Sequence, residues 1–322
     1  MLSVSRKRLL IAGLPALLIA LILGAMLWHQ QRSLEGAASR GREAQMRLVG
    51  TLLSSSFEQA AKFSLSLAES FARNAEIRDA LAAEDRARLQ ALSNEAYQYL
   101  GRQANVQIFG YHGKDLRYLL RMHRPDQHGD DISAFRAMIV AANRLRRAQT
   151  GVEIGIAGIG IRGVALVQRG EDFLGTMEIG FDLRPLIELV KTTTNSEIAV
   201  IAAASLTGVA LDPKLPSVGE LTIMASTDDP IFLALLRSQT IKPLRDVEIG
   251  QKQIGERSYA FMSQPLVDFS GKLVGTVLML KEDSQSDWRR LGTELWVIAL
   301  CGGILAFVGF LVLSGQRRRL DA

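Results

Sequence analysis

Apolar positions fall into three textures along the chain. At each end lies an unbroken run without an acidic or basic residue, Leu9–Trp28 and Leu295–Leu313. Each is long enough to cross a bilayer core of roughly 30 Å, which takes about 20 helical residues. From Glu43 to Leu100 the spacing is helical. Leu53, Phe57, Ala60, Phe63, Leu67 and Phe71 recur every three or four residues and predict one apolar stripe. Ser93–Leu100 continues it after a break near Ala83–Asp85. A long helix leaving a membrane is a stalk that can carry displacement. After Gly101 the period shortens. Val106–Phe109, Tyr118–Met122, Val152–Ile156, Ile161–Val167 and Leu174–Ile179 read as strands separated by glycines and turn residues. Asp131–Arg147 reads as a helix between the second and third, with Asp131 at its cap.

Leu183–Thr194 is a connecting helix, with Pro185 in its first turn. A smaller copy of the strand texture follows at Ile198–Ala203, Leu221–Ala225, Val247–Ile249, Tyr259–Gln264 and Val274–Lys281, with Asp229-Pro230 opening a helix between strands. From Asp283 the chain turns helical again and runs into the second apolar span. The predicted fold class is α+β: antiparallel sheets with helices packed on them, repeated in tandem.

Charge orients this arrangement. Arg6, Lys7 and Arg8 precede the first span, and Arg317, Arg318 and Arg319 follow the second. Basic flanks stay on the cytoplasmic side, so both termini are expected inside and the middle outside. The predicted organisation is a cytoplasmic tail 1–8, transmembrane helix 9–28, stalk region 29–100, a membrane-distal module 101–182, a connecting helix 183–196, a membrane-proximal module 197–283, an exit helix 284–294, transmembrane helix 295–313 and a cytoplasmic tail 314–322. The first apolar run is longer than the core of a cleaved signal peptide, although Gly36-Ala-Ala-Ser39 resembles a cleavage site. Pro15 is tolerable in a span because neighbouring groups cover the freed carbonyl.

Those flanks also explain the net charge of +5: they hold six of the 38 Lys and Arg and one of the 33 Asp and Glu, leaving 32 of each between. A neutral ectodomain argues against nucleic acid, which needs a basic surface. The single cysteine, Cys301, falls in the second span. The ectodomain therefore holds no disulfide and relies on its core.

Strand alternation sorts the candidate chemistry by face. Arg121 and His123 share one face of their strand, Glu153 opposes Val152 and Ile154, and Glu178 with Thr176 opposes Met177 and Ile179. Arg162 joins the same polar face, and Arg136 follows the Gly129-Asp130-Asp131 turn. Arginine offers a planar fork matched to a carboxylate. Arg121, His123, Arg136, Glu153, Arg162 and Glu178 are therefore the candidate ligand-binding residues for a small anionic or zwitterionic metabolite, with Arg121 and Arg162 leading. The same residues could instead close on one another as an internal salt-bridge network. Asp126 and Asp130 have a turn role. His112, His123 and His128 lack metal-ligand spacing, so no metal and no cofactor is expected. Gly158-Ile-Gly-Ile-Arg-Gly163 fits G-x-G-x-x-G but leads into a strand, so it reads as a tight hairpin. No catalytic triad or nucleophile elbow stands out, and an enzyme is not expected.

Three stretches carry a resemblance. Leu120-Arg-Met-His-Arg-Pro-Asp-Gln-His-Gly-Asp-Asp-Ile132 with Phe135-Arg136, and Gly151-Val-Glu-Ile-Gly-Ile-Ala-Gly-Ile-Gly-Ile-Arg-Gly-Val164, resemble the distal part of the double Cache domain. Gln264-Pro-Leu-Val-Asp-Phe-Ser-Gly-Lys-Leu-Val-Gly275 is similar to its last hairpin. The resemblance covers about residues 45–283. It implies two tandem PAS-like modules on a long N-terminal helix between two transmembrane helices, as in two-component sensor kinases, chemoreceptors and diguanylate cyclases. It also implies a small ligand on the polar sheet face of the distal module, a bacterial-type inner-membrane location and a homodimer as one possible assembly. Such receptors continue into an output domain, whereas this sequence stops at Ala322; a sensory subunit with a cytoplasmic or transmembrane signalling partner is the expectation, with a split receptor and a stand-alone protein as alternatives. Gly302, Gly303 and Gly309 fit close helix approach to such a partner, or simply the glycine content of membrane helices. A non-sensing membrane-anchored scaffold that keeps the fold is the competing class.

Overall fold

A computed structural model describes residues 4–155, 158–238, 241–243 and 245–283, with side chains described at 22, 24–26 and from 28 onward. The chain divides into two units, Gln45–Glu282 and Met1–Ala44 with Asp283–Ala322. The exit helix, the second apolar run and the C-terminal tail lie outside the described residues. The first apolar run falls within helix α1 (Val4–Ala72). Among the described residues no helix is long and apolar enough to cross a membrane, so the two-span topology rests on the sequence.

Helix α1 ends sooner than its apolar pattern predicts. Asn74 accepts a hydrogen bond from Ile77 N–H through its side chain and starts α2 (Ala75–Ala82). This local bond competes with continued helix. The expected break at 83–85 is present. Asp85 caps α3 (Arg86–Ala104) by accepting from Arg88 N–H at 3.0 Å, and Asn105 ends it in the left-handed region.

The buried stripe of α1 also differs from the expected one. Met46, Val49 and Leu53 are buried, but further along the buried positions are Ala61, Ser64, Ala68 and Ala72, while Phe63 is half exposed and stacks on Phe181. The reason is close approach. A Cβ on Gly163 would stand 2.3 Å from Leu65 N. Ser64 Oγ donates to Ile179 O at 2.5 Å, and Thr150 Oγ1 donates to Ala61 O at 2.7 Å. Only small side chains fit between a helix and a sheet at that distance.

Two antiparallel sheets follow. The first comprises β1 (Val106–Gly113), β2 (Tyr118–Arg121), β3 (Gln149–Gly155), β4 (Gly158–Arg169) and β5 (Asp172–Phe181) in the order β2-β1-β5-β4-β3. Its apolar face (Phe109, Tyr111, Leu120, Ala165, Met177 and Ile179) packs under α1, α2 and α3. Helix α4 (Ala137–Leu145) covers part of the other face. This helix is shorter than expected, and Asp131 does not cap it. Asp131 bridges to Arg117 instead, and its Oδ1 accepts from Ser133 N–H at 2.8 Å. Arg136 holds the N-cap position without a side-chain cap bond. Glu153 of β3 supplies the missing acceptor, taking the N–H of Met138 on Oε1 at 2.9 Å.

Helix α5 (Arg184–Thr194) leads to the second sheet: β6 (Glu197–Ala203), the short α6 (Ala204–Thr207), β7 (Ser217–Val218), β8 (Leu221–Ser226), α7 (Asp229–Ser238), β9 (Glu248–Ile254), β10 (Arg257–Val267) and β11 (Leu273–Glu282), in the order β7-β8-β6-β11-β10-β9. Helix α7 covers one face through Phe232, Leu235 and Leu236. On the other, Met46, Val49 and Leu53 of α1 join Val152 and Ile161 of the first sheet and Ile198, Met262 and Val277 of the second in one apolar core. The two sheets are therefore packed together within Gln45–Glu282.

Candidate functional site

The polar face of the first sheet is built around Glu178. In β5 it lies opposite Gly110 of β1 and Val164 of β4, while Thr176 lies opposite His112. Strand β2 carries an irregularity opposite Tyr111 and His112, so that Leu120 pairs with Tyr111 but Tyr118 pairs with His112. The extra residue, Leu119, places Tyr118 and Arg121 on the same face despite their odd separation.

Two arginines close on two glutamates there. Arg136 donates to Glu178 Oε1 and, through Nε and Nη2, to Glu153 Oε2 at 3.2 and 3.1 Å. Arg162 Nη1 donates to Glu178 Oε1 at 3.0 Å and lies 3.6 Å from Glu153 Oε2. Tyr118 donates its hydroxyl to Glu178 Oε2 at 3.2 Å, and His112 Nε2 lies 3.6 Å from the same oxygen. His112 Nδ1 and Thr176 Oγ1 share a hydrogen bond of 3.0 Å. All four charged members are buried: Glu178 is 0%, Glu153 2%, Arg162 5% and Arg136 7% exposed.

Burial by itself would raise the Glu178 pKa, but Arg136 and Arg162 outweigh it and hold the carboxyl well below the usual range. Burial pushes His112 down to about 3 and His123 down to about 4, against the attraction of Glu178. Both imidazoles are thus neutral at pH 7.

Arg121 sits apart from this network. Its two terminal nitrogens donate to the two Asp130 oxygens at 2.7 and 2.6 Å, one of them also donates to Gln127 O, and the guanidinium lies 3.6 Å above the Tyr118 ring. Asp130 therefore does more than form a turn.

A cleft of about 960 Å³ opens over the face, and Tyr118, Arg121, His123, Arg136 and Arg162 line it. Glu153 and Glu178 lie outside that lining and hold two of its arginines. Asp212 and Leu215, from the stretch between β6 and β8, and Met224 of β8 line the cleft too. Two buried nitrogens among these residues, Arg162 Nε and His123 Nδ1, have no hydrogen-bond partner. The arrangement offers guanidinium donors and a neutral imidazole on one cleft.

The structure thus brings together Arg136, Glu153, Arg162 and Glu178 and sets Arg121 and His123 on the same cleft. Sequence reasoning missed Tyr118, because strict alternation puts it on the wrong face. It also passed over His112 as a neighbour of Glu178 and Thr176 as the partner of His112. The period-2 pattern of β5 does place Thr176 beside Glu178. Among the described residues, no group of three or more His, Cys, Asp or Glu could hold a metal ion. Gly158–Gly163 opens β4 and pairs with β3 in an antiparallel hairpin, as its lead into a strand predicts.

No curated protein sequence matches the chain. Among solved structures it is similar to the periplasmic domain of LuxQ from Vibrio cholerae, with 15% identity over 73% of this chain and 99% of that one and a TM-score of 0.42. It is also similar to the sensor domain of the V. cholerae histidine kinase DctB, with 12% identity, 76% and 96% coverage and a TM-score of 0.44. A third is the ligand-binding domain of the Campylobacter jejuni chemoreceptor Tlp3 in complex with L-valine, with 10% identity, 77% and 94% coverage and a TM-score of 0.42. The profile of a family described as the double sensory domain of two-component sensor kinases matches residues 42–285. With that match spanning most of its length, the chain belongs to this double Cache family of sensory domains.

Proposed function

We propose that the protein is a membrane-anchored extracytoplasmic sensor. In this reading residues 101–182 form the membrane-distal module, 197–283 the membrane-proximal one, and the distal cleft binds a small carboxylate-bearing ligand. The observation that carries it is the convergence of Arg121, His123, Arg136 and Arg162 on one cleft, with Arg162 Nε and His123 Nδ1 left without partners. Buried polar groups of this kind, the Arg162 Nε–H donor above all, gain most from a partner supplied from outside.

A ligand that binds only the native state raises its apparent stability. Thermal-shift screening of the purified chain against carboxylate-bearing metabolites should therefore find a stabilising compound. Losing a charge-assisted hydrogen bond costs about 1.5–3 kcal/mol, so Arg121→Ala and Arg162→Ala should each weaken its binding by roughly tenfold or more. Unchanged binding in both variants would refute the assignment.

The mutual neutralisation of Arg136, Arg162, Glu153 and Glu178 supports the competing reading, a membrane-anchored scaffold whose polar face is structural. A screen in which no carboxylate stabilises the chain favours that reading.

The two apolar runs and their basic flanks support a two-pass anchor in a bacterial-type inner membrane with both ends cytoplasmic. The family's tie to two-component sensor kinases supports output through a kinase-type partner. Reporter fusions at Met1 and Ala322 should both read as internal, and crosslinking in native membranes should recover a second protein. An external signal from either fusion contradicts the topology, and recovery of the chain alone contradicts the partner.

A further inference from the structure

The turn between β10 and β11 is closed on itself. Asp268 Oδ1 accepts from Ser270 N–H at 2.8 Å, from Lys272 N–H at 3.0 Å and from Ser270 Oγ at 2.7 Å, and Gly271 N–H donates to Asp268 O at 2.9 Å. Such a turn needs nothing beyond its own residues. It nevertheless reaches into the first sheet. Phe269 N–H donates to Val152 O of β3 at 2.9 Å. A Cβ on Gly151 would stand 3.0 Å from Phe269 Cα, so only glycine leaves the turn this close. The Phe269 ring packs against the cluster of Tyr118, Ile132, Met138 and Val164.

These contacts fall beside the charge network. Val152 precedes Glu153, and Glu153 holds both Arg136 and the N–H of Met138. Phe269 therefore bonds to the strand that carries Glu153 and packs on the apolar cluster that includes Met138, whose N–H Glu153 holds. From the same turn, β11 runs between β6 and β10 to Glu282. An occupant of the cleft that draws Arg136 away from Glu153 changes what anchors α4 and β3, and Phe269 is bonded to β3 and packed on the cluster that α4 shares.

We propose that the Phe269 turn couples the charge network of the first sheet to β11, so that a change at Arg136 or Glu153 is passed to the strand that leaves the second sheet. The use of this coupling for signalling rests on the cleft being a ligand site. The coupling itself belongs to the chain alone and is testable without ligand.

Amide hydrogen exchange on the purified full chain in detergent micelles reads it in both directions. Glu153→Gln removes the charge and keeps the shape. It is expected to speed exchange at Phe269 by about tenfold or more while β9, at the far edge of the second sheet, is unaffected. Phe269→Ala is expected to speed exchange at Met138 by a similar factor. If Glu153→Gln does not fold, the Phe269→Ala arm decides, because Phe269 is a half-buried turn residue. Exchange at Met138 unchanged in Phe269→Ala, or acceleration spread evenly over both sheets, overturns the proposal. Failure of the ligand reading appears separately, as unchanged binding in Arg121→Ala and Arg162→Ala.

Discussion

Arg136→Ala is expected to destabilise the chain by about 3–5 kcal/mol, the usual result of removing one partner from a buried ion pair. Arg136 meets both Glu153 and Glu178, and both carboxylates are almost wholly out of water. Without it, Arg162 alone faces two buried negative charges. For a folded unit of this size the loss corresponds to a fall in Tm on the order of 10 °C, readable in a thermal melt of the purified chain. The double variant Arg136→Met/Glu178→Leu should recover much of that loss. It removes one charge of each sign, leaves Arg162 with Glu153, and restores apolar volume. A loss below about 1 kcal/mol in Arg136→Ala would mean that the network behaves like an exposed pair, and the buried-network account would fail.

Acid should weaken the fold well before the carboxylates titrate. In the unfolded chain an imidazole takes up a proton near pH 6.5. In the folded chain burial delays this to about 3 for His112 and about 4 for His123. Between these limits the unfolded state binds more protons. The stability contributed by neutral histidine is therefore full above pH 6.5 and declines as the pH falls through that window. The slope is at most about 1.4 kcal/mol per pH unit for each histidine. His112 is fully buried and faces Glu178, Tyr118 and Thr176, with the charges of Arg121, Arg136 and Arg162 around it. Glu178 adds a second loss of the same sign only at lower pH, because its folded pKa lies below the ordinary carboxylate value. Denaturant unfolding at a series of pH values should thus show stability falling between pH 6.5 and 4.5. In His112→Asn that slope should be clearly shallower. An unchanged slope would show that His112 does not carry the effect.

The parts of the site that were legible in the sequence are those governed by a period. Glu178 and Thr176 in β5, Glu153 in β3 and Arg162 in β4 lie in long ladders where alternation holds, so their common face followed from spacing alone. Tyr118 did not, because one extra residue in β2 reverses its face, and no feature of Tyr118-Leu-Leu-Arg121 signals that. Helix α4 starts later than Asp131 predicts for a similar reason. Asp131 has the chemistry of a cap, but the acceptor that meets Met138 N–H comes from Glu153, fifteen residues away. Helical spacing of large apolar residues runs the expected stripe on α1 through Phe63. The sheet instead approaches through Gly163, which selects Ala61, Ser64 and Ala68. Each miss is a tertiary contact overriding a local preference. Ligand pocket and salt-bridge network are inseparable in the sequence for the same reason: the face is legible, but its internal pairing and the cleft above it depend on α4 and on loops whose placement has no period.

Whether the cleft over this network holds a carboxylate is decided by the structure of the chain bound to a stabilising compound from the thermal-shift screen. The account predicts the ligand carboxylate within about 3 Å of guanidinium nitrogens of Arg162 or Arg121, the distance of a charge-assisted hydrogen bond. A ligand seated outside this cleft, or in the cleft with its carboxylate turned away from both arginines, would overturn the carboxylate reading.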